Sequence, residues 1–354
     1  MLVYVQILRF LAAIAVVAFH AWGVAPNYVS VPENTASFGL WHGGHGVDLF
    51  FVISGFIIFY ATQDSDLTPA AFLRRRVERI VPLYAVVILA VTGLALLWPA
   101  VFGTPGWYTP RHILKSLMFV SFTDGEMPVI YVGWSLEYEM YFYLVVGLLM
   151  ALVTRVWRSV VMLFSVLVVA GQFAGIATAL GHYAFFVDPL LLEFVVGVVV
   201  GYFFVKGRPD WPMVVAITCA SAAVLAADPS NRAVVFGIPA ACLVAGGAYL
   251  SRRRTSLSWL ERAMARLGDA SYSIYLAQVQ TVSFTCLLIA SVIPAIPPLL
   301  LVVAVCCVVV LLGLLMNVAI ERPLLGLCRR IGRPRTAGGA PATLAATSQF
   351  TRLL

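Results

Sequence analysis

The sequence predicts an all-α integral membrane protein, a polytopic bundle of about ten transmembrane helices. Three observations carry that expectation. Of 354 residues, 62% are hydrophobic and 11% charged, with a mean hydropathy of +0.96; a soluble domain is nearer half apolar and a quarter charged. Apolar runs of about 20 residues recur along the chain, long enough for helices to cross a bilayer and unlike the alternating segments of a membrane β-barrel. The basic residues collect in alternate segments between those runs, the pattern that orients helical membrane proteins.

Taken in order, the spans are expected at 4–24, 46–62, 81–101, 132–153, 158–180, 184–205, 211–228, 232–250, 271–293 and 297–319. The segment after the second span holds Arg74, Arg75, Arg76 and Arg79. Later segments on the same side hold Arg155 and Arg158, Lys206 and Arg208, then Arg252, Arg253, Arg254, Arg262 and Arg266, and finally Arg322, Arg329, Arg330, Arg333 and Arg335. The opposite segments hold Arg111, Lys115 and Arg232. This asymmetry puts both termini in the cytoplasm. The net charge of +7 is thus a topology signal, and no nucleic-acid partner is expected. Residues 1–25 lack a basic cluster and a small-x-small cleavage site, so they read as a retained span rather than a signal peptide. Residues 102–131 form the longest outer segment, and Ile113 to Ser121 within it is apolar enough to lie in the interface or dip inward. Residues 1–335 are expected to form the membrane domain, and the Ala/Thr/Gly-rich residues 336–354 a disordered cytoplasmic tail. The six cysteines form no C-x-x-C pair, so zinc and redox motifs are unsupported.

Polar residues inside spans are costly and mark function by default. In the first span Arg9 and His20 interrupt the apolar run. Eleven residues at about 100° each is three turns plus about 20°, so the two share a helix face about 16 Å apart along the axis. Asp48 and Ser54 begin the second span after a His- and Gly-rich approach, His42 to Gly46. His42 and His45 lack an evident third ligand, so they read as vestibule groups and no metal is expected. Arg76 and Arg79 are three apart and share a face if helical, either as a positive-inside anchor or as an anion site, since Arg suits phosphate. Glu137 and Glu139 open the fourth span and point to different faces. Glu137 fits a helix-start acid, and the deeper Glu139 is placed to share a cavity with His20. Ser271, Tyr272, Ser273 and Tyr275 enter the ninth span, as channel lining or as interhelical contacts.

These segments, in this order, are similar to the membrane acyltransferase-3 family. The family's best marker is an Arg, ten residues, then a His in the first span, here Arg9 and His20. Gly46 to Phe56 resembles its second-span signature, and Arg76, Arg79 and Pro82-Leu83-Tyr84 its R-x-x-R-I-x-P-x-Y element. Trp134-Ser135-Leu136, Glu139 and Phe142-Tyr143 resemble W-S-L-x-x-E-x-x-F-Y. Ser271 to Leu276 and Glu321-Arg322-Pro323 resemble the late motifs. The resemblance covers about residues 4–323 and is nearest the branch that O-acetylates bacterial exopolysaccharides. It departs at Gln278, where many members have His. A fused SGNH domain, present in some members, is not expected after the last span.

The resemblance implies a multi-pass enzyme of the bacterial cytoplasmic (inner) membrane. It would move an acyl group, acetyl by default, from cytoplasmic acyl-CoA to a carbohydrate hydroxyl, with no bound cofactor. The polysaccharide biosynthesis machinery is the expected setting. Arg9, Arg76 and Arg79 would hold acyl-CoA. His20 would be the general base or a transient acyl carrier, with Glu139 orienting it or another polar group. Asp48, Ser54, Trp134, Ser135, Tyr272 and Tyr275 would shape the acceptor site or cavity; Ser135 as a nucleophile has no assigned base. The rival readings are a carrier of an acyl donor or glycan intermediate, since intramembrane Arg, His and Glu also build transport paths, an acyltransferase for a small glycoside, and a scaffold. Consumption of the thioester separates enzyme from carrier.

Overall fold

The computed structural model describes residues 2–31, 40–63, 65–99, 106–173, 175–254 and 256–331; the expected tail, 336–354, lies outside them. The main helices are α1 (Val3–Val24), α2 (Gly46–Thr62), α3 (Pro69–Leu97), α4 (Pro110–Leu117), α5 (Trp134–Leu152), α6 (Val156–Gln172), α7 (Leu191–Lys206), α8 (Trp211–Ala227), α9 (Gly237–Arg253), α10 (Trp259–Asp269), α11 (Ser271–Val292), α12 (Pro298–Met316) and α13 (Arg322–Ile331). No strand occurs among the described residues. Among the described residues, eight helical stretches are long and apolar enough to cross a membrane, and the shorter apolar α6 and α8 coincide with the fifth and seventh expected spans.

Helix α1 lies at the centre, packed against α2, α9, α10, α11 and α12. The most extensive contact is between α2 and α7. Lipid is as apolar as a leucine side chain, so close backbone approach, rather than apolar burial, decides helix association. Two glycines allow it. A Cβ at Gly55 would collide with the backbone carbonyl of Phe194, and one at Gly197 with that of Val52. A large buried cluster runs from α2 and α3 through α5 to α8, with Phe142, Phe164 and Phe194 fully buried.

Helix α3 corrects one expectation. Its Arg-rich stretch is not a loop before a span at residue 81; the helix begins at Pro69 and runs through Pro82. Thr68 caps it, its side chain accepting from Ala71 N at 3.3 Å, and Pro69 occupies the first turn, where its missing N–H costs nothing. Arg and Glu are good helix formers, so charge did not break the helix here. Arg76 and Arg79 therefore sit on a rigid helix. The segment before α5 runs through α4 and a 3-10 turn at Ser121–Asp124. Glu137 pins that turn, accepting from the backbone N–H groups of Ser121 (2.8 Å) and Phe122 (3.4 Å).

Helix α10 is amphipathic and starts with a reciprocal cap: Ser258 Oγ accepts from Glu261 N (3.2 Å) and Glu261 Oε2 from Ser258 N (2.7 Å). Tyr4 OH also donates to Glu261 at 2.5 Å. That hydrogen bond, with the Ser258 contacts, holds the Glu261 carboxyl down at about 2, below its ordinary 4.5. A depressed carboxylate stabilises the folded state above its unfolded value and loses that contribution as pH falls from about 4.5 through about 2. Hydrogen exchange of the 259–269 amides is therefore expected to speed up between pH 5 and 2 relative to α11, beyond the intrinsic pH effect, and Glu261→Gln should flatten that dependence.

Candidate active site

A cavity of about 120 Å³ lies where α1, α2, α3, α5 and α11 meet. It is lined by Arg9, Ser54, Arg76, Arg79, Ser135, Glu139, Tyr143, Ser271, Tyr272 and Tyr275, with apolar walls from Val47, Phe50, Phe51, Ile53, Ile57, Ile58, Ile80 and Leu136. Drug-sized sites run to roughly 300–1,000 Å³, so this space suits a small acyl group and a few waters, not a nucleotide.

Glu139 and Tyr143 are one turn apart on α5 and share a face. Tyr143 OH donates to Glu139 Oε1, and Ser54 Oγ reaches both, at 2.7 Å to the carboxylate and 2.8 Å to the phenol. Glu139 thus takes Ser54 and Tyr143 as hydrogen-bond partners. Three guanidinium groups surround this acid. Arg76 is only 5% exposed, and its Nε and one Nη have no hydrogen-bond partner. Its guanidinium carbon lies 5.6 Å from the Phe72 ring centroid and 5.7 Å from that of Tyr143. Buried polar groups are normally satisfied, so a buried cation with two idle donors facing a cavity is built to meet an acceptor. Arg9 donates to Gln6 Oε1 at 3.4 Å, a weak tether.

Arg79 is held differently. Its Nη1 donates to Glu321 Oε1 at 2.9 Å, and Glu321 also accepts from Ser273 Oγ (2.5 Å) and Asn317 Nδ2 (2.7 Å). Glu321 is 1% exposed and closes a π-helical turn, Asn317–Glu321, between α12 and α13. Such turns recur at functional sites because the extra residue re-aims a side chain. Tyr272 OH donates to the Ile80 carbonyl at 2.8 Å, tying α11 to α3. Ser135 Oγ lies 3.1 Å from the Val132 carbonyl and 2.8 Å from Tyr275 OH, so a tyrosine, not a base, stands beside it. Gln278 is buried, its Nε2 donating to the Tyr275 carbonyl at 2.9 Å while its Oε1 has no partner.

His20, Asp48 and Trp134 are not among the residues lining this cavity. His20 packs edge-on to Tyr131, ring centroids 4.8 Å apart, and the expected shared cavity with Glu139 is replaced by the Glu139–Ser54–Tyr143 cluster. Asp48 belongs to a second cluster at the opposite end of the bundle from the Arg-rich α3 start. Arg232 grips it with Nε at 2.9 Å and Nη2 at 2.7 Å, and His45 Nδ1 lies at 3.3 Å. Trp134 faces Arg232, 5.8 Å from ring centroid to guanidinium. Glu193 is fully buried near this pair, both carboxylate oxygens without a hydrogen bond. Glu193, Arg232 and Glu321 were missed as site residues. A carboxylate within the apolar run L-L-L-E-F-V-V was the available signal for Glu193. Arg232→Ala is expected to cost about 2 kcal/mol of stability, read as a lower thermal midpoint and less than the roughly 3–5 kcal/mol for a fully buried pair because Arg232 is partly exposed. Glu193→Gln in that background should recover part of the loss, since one fewer acid is stranded.

A model of the acyltransferase-3 domain matches residues 2–318. The chain belongs to the acyltransferase-3 family. This acyltransferase is 35% identical to the exopolysaccharide production protein ExoZ of Rhizobium meliloti (strain 1021), over 82% of this chain and 92% of that protein. It is 29% identical to the acyltransferase MdmB of Streptomyces mycarofaciens, over 78% of each chain. No solved structure matches it. The acyltransferase is thus a multi-pass membrane enzyme whose polar cavity is assembled from segments spread across the matched region.

Proposed function

We propose that this enzyme transfers an acyl group, acetyl by default, from acyl-CoA to a hydroxyl of a carbohydrate such as an exopolysaccharide or its lipid-linked precursor. The observation that carries the reading is Arg76, a buried cation with idle donors facing a small cavity beside Arg9, Arg79 and Glu139. Three cations confront the carboxylates of Glu139 and Glu321, which favours an anionic donor. The adenosine and phosphates of CoA are too large for the cavity and remain at the Arg-rich end, cytoplasmic by the distribution of basic residues. The pantetheine arm brings the thioester inward past Arg76, whose idle donors meet the thioester carbonyl oxygen if transfer occurs in the cavity and a carbonyl of the arm if the thioester reaches on to His20.

In the reaction the acceptor oxygen attacks the thioester carbon, its proton passes to a base, the C–S bond breaks and the thiolate leaves with that proton. His20 is the first candidate base, about 16 Å along α1 from Arg9. Its histidine could instead carry the acyl group as acyl-imidazole, the thiolate leaving first and the sugar hydroxyl attacking second. The acceptor then approaches from the end bearing Asp48, Trp134 and Arg232. The 2.7 Å contact between Ser54 and Glu139 favours a second reading, in which Glu139 is the base and the chemistry occurs in the cavity itself.

The test is release of free CoA from labelled acetyl-CoA in proteoliposomes supplied with candidate glycans. On the first reading His20→Ala loses turnover by about 10²–10⁴-fold while still retaining acetyl-CoA. Full turnover in His20→Ala with loss in Glu139→Gln transfers the base to Glu139. Uptake of intact donor without CoA release sinks the enzyme reading in favour of a carrier. Acetyl transfer to a small glycoside but not to polysaccharide precursors keeps the chemistry and changes the acceptor.

A further inference from the structure

Away from the active-site cavity, a groove of about 720 Å³ opens between α7, α8 and α9 at the Arg-rich end of the bundle. Its floor is apolar, from Val199, Phe203, Met213 and Val214. Its rim is not. The Arg252 guanidinium lies 3.6 Å from the Phe204 ring centroid, and that of Arg253 lies 5.0 Å from the Tyr249 ring. Stacking occupies the flat face of a guanidinium and leaves its edge N–H donors free for a planar or tetrahedral oxyanion. Among the described residues no acid pairs with Arg252. The far wall is Asp210, 6% exposed. Its Oδ2 accepts from Arg158 Nε at 2.6 Å, while its buried Oδ1 has no partner. Beyond Tyr202 and Asp210, which belong to both, a second and more polar groove of about 490 Å³ continues past Arg155 and Arg158.

An apolar trough, a cation held edge-outward at its mouth and an idle buried acceptor leading to a polar trough form the outline of one amphiphile. We infer that this groove is a specific site for an anionic glycerophospholipid of the leaflet at the Arg-rich end. Its acyl chain lies along Val199 to Val214, its phosphate is held by Arg252, and a headgroup hydroxyl donates to Asp210 Oδ1. Charge complementarity selects this occupant. Arg252, Arg155 and Arg158 line the two troughs against Asp210 alone, and a zwitterionic choline headgroup would place a second cation among them without a donor for Oδ1. The site is separate from the acyl-transfer cavity, since no residue lines both.

The experiment is native mass spectrometry of the full-length protein in detergent, titrated with phosphatidylglycerol, phosphatidylcholine, a polyprenyl phosphate and inorganic phosphate. Phosphatidylglycerol is expected to be retained about tenfold better than phosphatidylcholine, and Arg252→Gln to erase that difference, one charge-assisted contact being worth about a decade. Gly246→Phe should block the apolar trough and lose both lipids, because a Cβ there meets open space and the change does not strain the fold. Equal retention of the two phospholipids, or unchanged retention in Gly246→Phe, overturns the site. Preference for the polyprenyl phosphate overturns the assignment to a glycerophospholipid, and displacement by inorganic phosphate alone overturns the role of the acyl chain. Variants are compared at matched elution volume, so misfolding does not pass for lost binding.

Discussion

Arg76→Leu is expected to yield a bundle at least as stable as the parent and with acyl transfer cut by orders of magnitude. Most buried arginines are paired, and removing them strands an acid. Arg76 has two donors with nothing to bond, and the Phe72 and Tyr143 rings lie near its guanidinium. A leucine of similar bulk removes that unsatisfied cation, a change worth about 1–3 kcal/mol in favour of folding where a buried charge gives way to an apolar side chain. Activity should fall by about 10²–10³, the size of effect seen when one donor to a developing oxyanion is lost. Arg76→Lys should recover little, because an ammonium cannot present two donors in a fixed fork. The measurement is thermal unfolding in detergent beside CoA release. A destabilised Arg76→Leu that remains active would show that the arginine is a structural residue.

The second large effect is expected at Gly55. Gly55→Ala pushes a methyl group into the Phe194 carbonyl, which is backbone and cannot rotate aside, so α2 and α7 must separate. The cost is about 1–3 kcal/mol or more, read as a lower unfolding temperature and a broadened elution profile. Ser54 is the next residue along α2, so the same displacement pulls its hydroxyl from Glu139. Activity should therefore decline before unfolding does. Gly93→Ala is the control, because its Cβ meets open space. A normal Gly55→Ala protein would mean that the two helices are not locked at that crossing.

Much of the architecture was legible because a bilayer reduces helix-finding to apolar length, and each of the ten expected spans overlaps a helix of this bundle. The start of α3 was not legible that way. Hydropathy reads four arginines as a loop, whereas Thr68-Pro69 and the helix-forming Arg and Glu say otherwise. At the site, nine residues singled out as polar positions inside spans or as candidate site residues line one cavity: Arg9, Ser54, Arg76, Arg79, Ser135, Glu139, Ser271, Tyr272 and Tyr275. Tyr143, quoted in the same motif as Glu139 but given no role there, lines the cavity too, one turn beyond it. Arg232 with Asp48 was not, for 184 residues separate them and nothing local to either names the other. The partner of Arg79 was hidden for a related reason. Glu321 is aimed by a π turn, and helical periodicity assumes that no such turn intervenes.

That π turn has a consequence for how the last span can vary. One surplus residue advances the screw phase of everything beyond it by about 100°, so the faces of α12 and α13 are set out of register with each other. Deleting a single residue between Asn317 and Glu321 would restore a seamless coil, yet it would swing Glu321 off Arg79 and turn by about 100° the side of α13 that faces α3. Substitutions along α12 adjust packing one contact at a time, whereas a one-residue deletion here rotates a whole module.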